Sequence, residues 1–158
     1  MKSILYHSFL LILLGICNMP DALCQTNANA TTAYSRAISE YIKVVYKKDV
    51  PRPDTLFIGK NLDMPDITLP NTIQGINTVL ITSEAAEQKL SYRKSLVYLN
   101  VVGWLDSDKH EFIVVRFHEF KPQHNCSIHF KRNSRSKEME LASLTFQYPY
   151  TKKNMQKK

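Results

Sequence analysis

Glycine is scarce in this chain, four residues in 158. Loops that cradle phosphate need glycine where the backbone closes on the ligand, so this scarcity argues against a P-loop or a dinucleotide turn. Neither pattern is present, nor is the G-x-S-x-G of serine hydrolases or the H-E-x-x-H of zinc proteases. Cysteine is sparse too: Cys17, Cys24 and Cys126. No apolar run approaches the roughly 20 residues of a membrane-spanning helix. Acidic residues number 14 against 21 Lys and Arg, a formal charge of +7.

What is there begins with an export signal. Lys2 precedes the apolar stretch from Phe9 to Ile16, and small and polar residues follow, the order of a secretory signal peptide over residues 1–24. Cleavage is expected after Ala22-Leu23-Cys24, which leaves Gln25 at the front and places the chain outside the cell or in the periplasm. The competing reading, a lipid anchor on Cys17, fits poorly because bulky Ile16 stands where a small residue is usual. Cleavage leaves Cys126 as the one thiol, so no internal disulfide is expected. Four lysines sit in the tail 151–158, and without them the charge falls to +3. Such a body needs no nucleic-acid partner.

Residues 25–32 carry no apolar anchor and read as a flexible leader before a single domain at 33–150. Tyr34, Ala37, Ile38, Tyr41, Ile42 and Val45 then recur three and four apart, the apolar stripe of a helix. Thr31 or Thr32 is the expected cap. "DTLFIG" and "NTVLIT" read as strands. Between them lies a long connection in which Met64, Ile67 and Leu69 look like packing residues. "SEAAEQKL" reads as a short helix capped by Ser83. Four β runs follow: "LVYLNVVGWL", "EFIVVRFHEF", "HNCSIHFKR" and "MELASLTFQYPY".

This order predicts an α+β fold, an N-terminal amphipathic helix packed on a curved antiparallel sheet that ends in a four-strand meander. By fold analogy it looks cystatin-like or nuclear-transport-factor-like. "DTLFIGKNLDMPDITLP", "YRKSLVYLNVVGWL" and "FQYPY" resemble a group of small exported proteins of Gram-negative bacteria whose function is unassigned. The resemblance spans residues 54–150 and implies the compartment, with no catalytic residues carried over.

Side chains alternate across a strand, so parity separates core from surface. It assigns Val97, Leu99, Val101, Gly103 and Leu105 to the core, then Ile113, Val115 and Phe117, then Cys126, Ile128 and Phe130. Cys126 is therefore a buried packing residue. His124 and Cys126 share a face that His129 does not, so these three cannot close a tetrahedral zinc site, and no metal or cofactor is expected. A five-residue connection "DSDKH" would set Leu105 opposite Glu111, Tyr98 opposite His118 and Asn100 opposite Arg116. Further pairing would put Arg116 opposite His129 and His129 opposite Glu140. An extra residue near Ala142-Ser143 would mark a bulge.

The expected binding surface is then Tyr98, Asn100, Trp104, Arg116, His118, Ser127 and His129 on the polar face of the sheet. This favours a non-enzymatic binding module for a small anionic ligand, a peptide or a protein, with a homodimer left open. Two alternatives remain: a small hydrolase using His118, Arg116 and His129, and an envelope protein that docks on another chain.

Overall fold

The computed structural model describes residues 19–47, 51–60, 64–92, 97–118 and 121–148; the first 18 residues of the expected signal segment and the basic tail 151–158 lie outside them. Along the described chain run α1 (Met19–Val45), β1 (Thr55–Gly59), β2 (Thr72–Ile73), β3 (Ile76–Ile81), α2 (Ser83–Tyr92), β4 (Val97–Leu105), β5 (Lys109–His118), β6 (Lys121–Arg132) and β7 (Met139–Gln147). The fold is α+β.

The apolar stripe of α1 is the one read from the sequence. Tyr34, Ala37, Ile38, Tyr41 and Ile42 are at most 1% exposed, and Tyr46 just past the helix end joins them. The helix itself starts earlier than expected, at Met19, so residues 25–32 lie within it. Ala30 and Ala33 supply the buried face there, being small enough to let the helix approach the sheet. Thr31 and Thr32 do not cap. The Thr32 hydroxyl donates to the Ala28 carbonyl at 3.0 Å, and Ser35 donates to the Thr31 carbonyl at 2.7 Å. Such back-bonding to the preceding turn keeps polar side chains inside a helix.

One sheet of seven strands has the order β2-β3-β1-β4-β5-β6-β7. It is mixed, not antiparallel throughout, because β1 is parallel to both β3 and β4. The pairs β2–β3, β4–β5, β5–β6 and β6–β7 are antiparallel. A parallel strand must be covered on both faces. Accordingly Leu56 and Ile58 of β1 join the core under α1, while Phe57 packs with Ile81, Ala86 and Tyr98 under α2. Thr82 takes the capping place of α2, one residue ahead of the expected Ser83: its hydroxyl accepts the Ala85 N–H at 3.3 Å. Met64 and Ile67 are buried and Leu69 packs on them, as expected of the long connection.

The pairing of β4 with β5 departs from expectation by one residue. The Asp106 N–H donates to the Lys109 carbonyl at 2.9 Å, which tightens the turn. Leu105 therefore faces His110, Asn100 faces Val115 and Tyr98 faces Phe117. A slip of one reverses every side chain of the strand. Phe112 and Val114 are fully buried and Ile113 is 37% exposed, the opposite of the parity expected for β5. In β6 the expected parity holds, with Cys126, Ile128 and Phe130 buried alongside His124. The third hairpin pairs Lys131 with Glu140 and Arg132 with Met139, so Glu140 does not face His129 as expected. Since His129 faces Ser143 and Phe130 faces Leu141, Ala142 is the extra residue of a bulge where one was expected.

Gly103 lies directly against aromatic rings of both helix and sheet. A Cβ built there would lie 2.6 Å from the Phe112 ring and 3.0 Å from Tyr34. Those two rings form an edge-on pair with centroids 5.1 Å apart at 82°. Replacing Gly103 with Ala should therefore destabilise the fold by about 1–3 kcal/mol; urea unfolding checks this, and a neutral result would show that the aromatic pair yields freely.

Candidate functional site

Among the described residues, the face of the sheet turned away from α1 is covered where α2 lies over Phe57 and Tyr98. Beyond that, the observed registers lay out three rows across β4 to β7. One runs Trp104, Glu111, His129, Ser143; the next Val102, Ile113, Ser127, Thr145; the third Asn100, Val115, Asn125, Gln147. Trp104 is 53% exposed and Ile113 stands in the neighbouring row. Glu111 Oε1 lies 3.3 Å from Lys109 Nζ and 3.8 Å from His129 Nδ1, both partly exposed contacts that contribute little to stability.

Of the residues singled out from the sequence, Asn100, Trp104, Ser127 and His129 share this open face. Tyr98 lies on the same side but is buried, its ring 5.8 Å from Phe117 beneath α2. Arg116 is on the other side of the sheet: the slip in β5 turns it toward α1, opposite Leu99 and His124. The His118 backbone pairs in β5, but its side chain lies outside the described residues. Arg116 and His129 therefore project from opposite faces, and the cluster on which a hydrolase reading depended is not assembled. Nor is any group of three or more potential metal-ligating side chains present among the described residues.

What Arg116 joins is a polar cluster the sequence reading missed. Tyr41 Oη lies 2.8 Å from His124 Nε2 in a buried contact. The Arg116 guanidinium stands 5.6 Å from the centre of the Tyr46 ring and also bears on the Tyr41 hydroxyl. Rings of Phe146 and Tyr148 pack edge-on against His124, at 5.3 and 6.0 Å. Burial raises the pKa of both Tyr41 and Tyr46, while burial and then the Arg116 charge lower that of His124. The phenols thus stay protonated and the imidazole neutral. In the consistent assignment Arg116 donates to Tyr41 and Tyr41 donates to the bare Nε2 of His124. Tyrosines inside an otherwise aliphatic stripe were the available signal, since a buried phenol seeks a partner.

A second concavity of about 1100 Å³ opens between the first half of α1 and the tips of the β4–β5 and β6–β7 hairpins. Arg36, His110 and Arg132 line it together with Asp106, Glu138 and Glu140. Both guanidiniums are already used locally. Arg36 donates to the Met139 carbonyl and covers the Phe130 ring at 5.0 Å. Arg132 donates to the carbonyls of Ser107 and Lys137, each at 2.7 Å. Burial, and then the two arginine charges, lower the pKa of His110.

In comparisons with known proteins, no family model, curated protein or solved structure matches the chain. Among the described residues no helix is long and apolar enough to cross a membrane.

Two outcomes follow from the buried cluster. Burial pushes the Cys126 thiol up to about 12, so a thiol reagent should label it only in denaturant; labelling of the native protein would contradict its place in the core. His124 binds its proton less readily folded than unfolded. Its contribution to stability is therefore complete above the unfolded value near 6.5 and is lost as pH falls below it. Urea midpoints should drop from pH 7.5 to pH 5, and His124→Gln should flatten part of that slope, with His110 shifted in the same direction.

Proposed function

We propose that this chain is an exported, non-catalytic binding module whose partner is a protein seated on the open face of the sheet. Export rests on the order of charge, apolar run and small residues at the start, and on the resemblance of residues 54–150 to exported proteins. The observation that carries the surface is Trp104, the one tryptophan of the chain, 53% exposed on strands that continue past the cover of α2. Val102, Trp104 and Ile113 make an apolar patch toward the β4–β5 hairpin, and Asn100, Asn125, Ser127, Thr145 and Gln147 flank it on one side with groups able to donate and accept hydrogen bonds. An apolar patch flanked by polar groups suits a protein partner, whereas small ligands are held in concave pockets. The meander of β4 to β7, bent at the Ala142 bulge, presents these rows as one surface.

A photoreactive residue at position 113 tests this in cells of the native host. A crosslink to one envelope protein, lost in Trp104→Glu, supports the reading. A crosslink between two copies assigns the face to a dimer instead, and unchanged crosslinking in Trp104→Glu overturns it. Because Trp104 pairs with Glu111, the substitution sets two carboxylates opposite each other and should lower stability by about 1 kcal/mol without unfolding the chain, which urea unfolding checks.

A further inference from the structure

Arg116 is a charged group drawn to the covered side of a sheet with nothing of opposite sign to meet it among the described residues. Its Nε is buried and without a hydrogen-bond partner, and so is the hydroxyl of Tyr46, whose ring lies beneath the guanidinium. No carboxylate among the described residues forms an ion pair with it. The groups around it are donors or already engaged: Tyr41 is committed to His124, and Tyr46 has a proton to give and no acceptor. Two orphaned polar groups on residues in direct contact, one of them charged, are costly where their atoms are shut off from water. Unpaired carbonyls at the end of α1 attract a cation, but the dipole there is worth only about half a charge. It also leaves the Nε–H and the Tyr46 hydroxyl without an acceptor.

A water molecule would satisfy a donor without balancing the charge. An oxyanion does both. We propose that Arg116 and Tyr46 hold a small singly charged oxyanion, of the carboxylate class, at the seam between the end of α1 and β5. One oxygen accepts from the Arg116 Nε–H and the other from the Tyr46 hydroxyl. The Tyr41–His124 contact holds the neighbouring wall, with His124 neutral so that it does not compete for the anion. Arg116 as a whole is only partly buried, so the seam is not closed off from solvent. This site is independent of the open face and lies on the opposite side of the sheet.

The test is titration of the mature protein with sodium acetate against sodium chloride at matched ionic strength and pH 7, read by melting temperature and by the Arg116 Nε–Hε cross-peak in NMR. Acetate should raise the melting temperature by about 3 °C near saturation and shift that cross-peak, while chloride does neither. Tyr46→Phe removes one orphaned hydroxyl, so it should fold as well as the parent and bind acetate about tenfold more weakly. Arg116→Gln should abolish the response. Inorganic phosphate in a parallel titration separates classes: a carboxylate site responds more strongly to acetate, and a stronger response to phosphate overturns the carboxylate assignment. Equal effects of acetate and chloride, or an undiminished response in Tyr46→Phe, overturn the site. If Arg116→Gln does not fold, the cross-peak titrations of the parent and Tyr46→Phe decide the matter alone.

Discussion

The register between β4 and β5 is the constraint from which the rest of this structure follows. The turn closed by Asp106 and Lys109 sets Leu105 opposite His110, and that single alignment decides which side chains of β5 meet α1. With it, Phe112 and Val114 are available to complete the core with Leu99, Val101, Cys126 and Ile128, and Phe112 can stand edge-on to Tyr34. The same alignment carries Arg116 inward and leaves Ile113 and Val115 outside. Sheet register is all or nothing because the side-chain period is two: no intermediate arrangement shares the cost between faces.

That explains what the sequence could disclose and what it could not. In β6 the odd positions Asn125, Ser127 and His129 are polar and the even ones Cys126, Ile128 and Phe130 apolar, so its buried face was readable. In β5 the stretch from Phe112 to Val115 is apolar at both parities, and "DSDKH" contains no glycine or Asn-Gly pair to fix the turn. Parity there had no signal to act on, and the strand was placed the wrong way round. Of the expected binding residues, those on β4 and β6 that share the open face kept their company. Arg116 lost its neighbours to the slip. The early half of α1 was illegible for a different reason: its buried face is made of Ala30 and Ala33, which carry too little hydrophobic weight to mark a stripe. The position of β1 between β3 and β4 leaves no local trace either. Only its consecutive apolar residues Leu56, Phe57 and Ile58 hint at cover on both faces.

The two faces have separate chemistry. On the open side, His129 and Glu111 meet across strands at partly exposed positions where solvent screens them. On the helix side, His124 is wedged among Tyr41, Phe146 and Tyr148, and its one polar contact is to a phenol that does not give up its proton. His110 sits near two arginines at the other end of α1. No pair among these three imidazoles lies on adjacent sites of one face, so the described histidines act singly.

Position also explains why a costly arginine is compatible with a stable fold. A charge held on the covered face of a sheet, even a partly buried one, is seldom retained for stability, since an apolar side chain of similar volume serves as well or better. Arg116 and His124 belong to the sheet, whereas Tyr41 and Tyr46 belong to α1 and its end. Every polar contact in the cluster therefore crosses the same seam. An anion bridging Arg116 and Tyr46 would tie helix to sheet at the end of α1 where the aliphatic stripe runs out, beyond Ile42 and Val45. Ligand binding at that seam and docking of the last turn of α1 would then be one equilibrium: whatever favours the packed helix end also forms the site, and the bound anion holds the helix end in place.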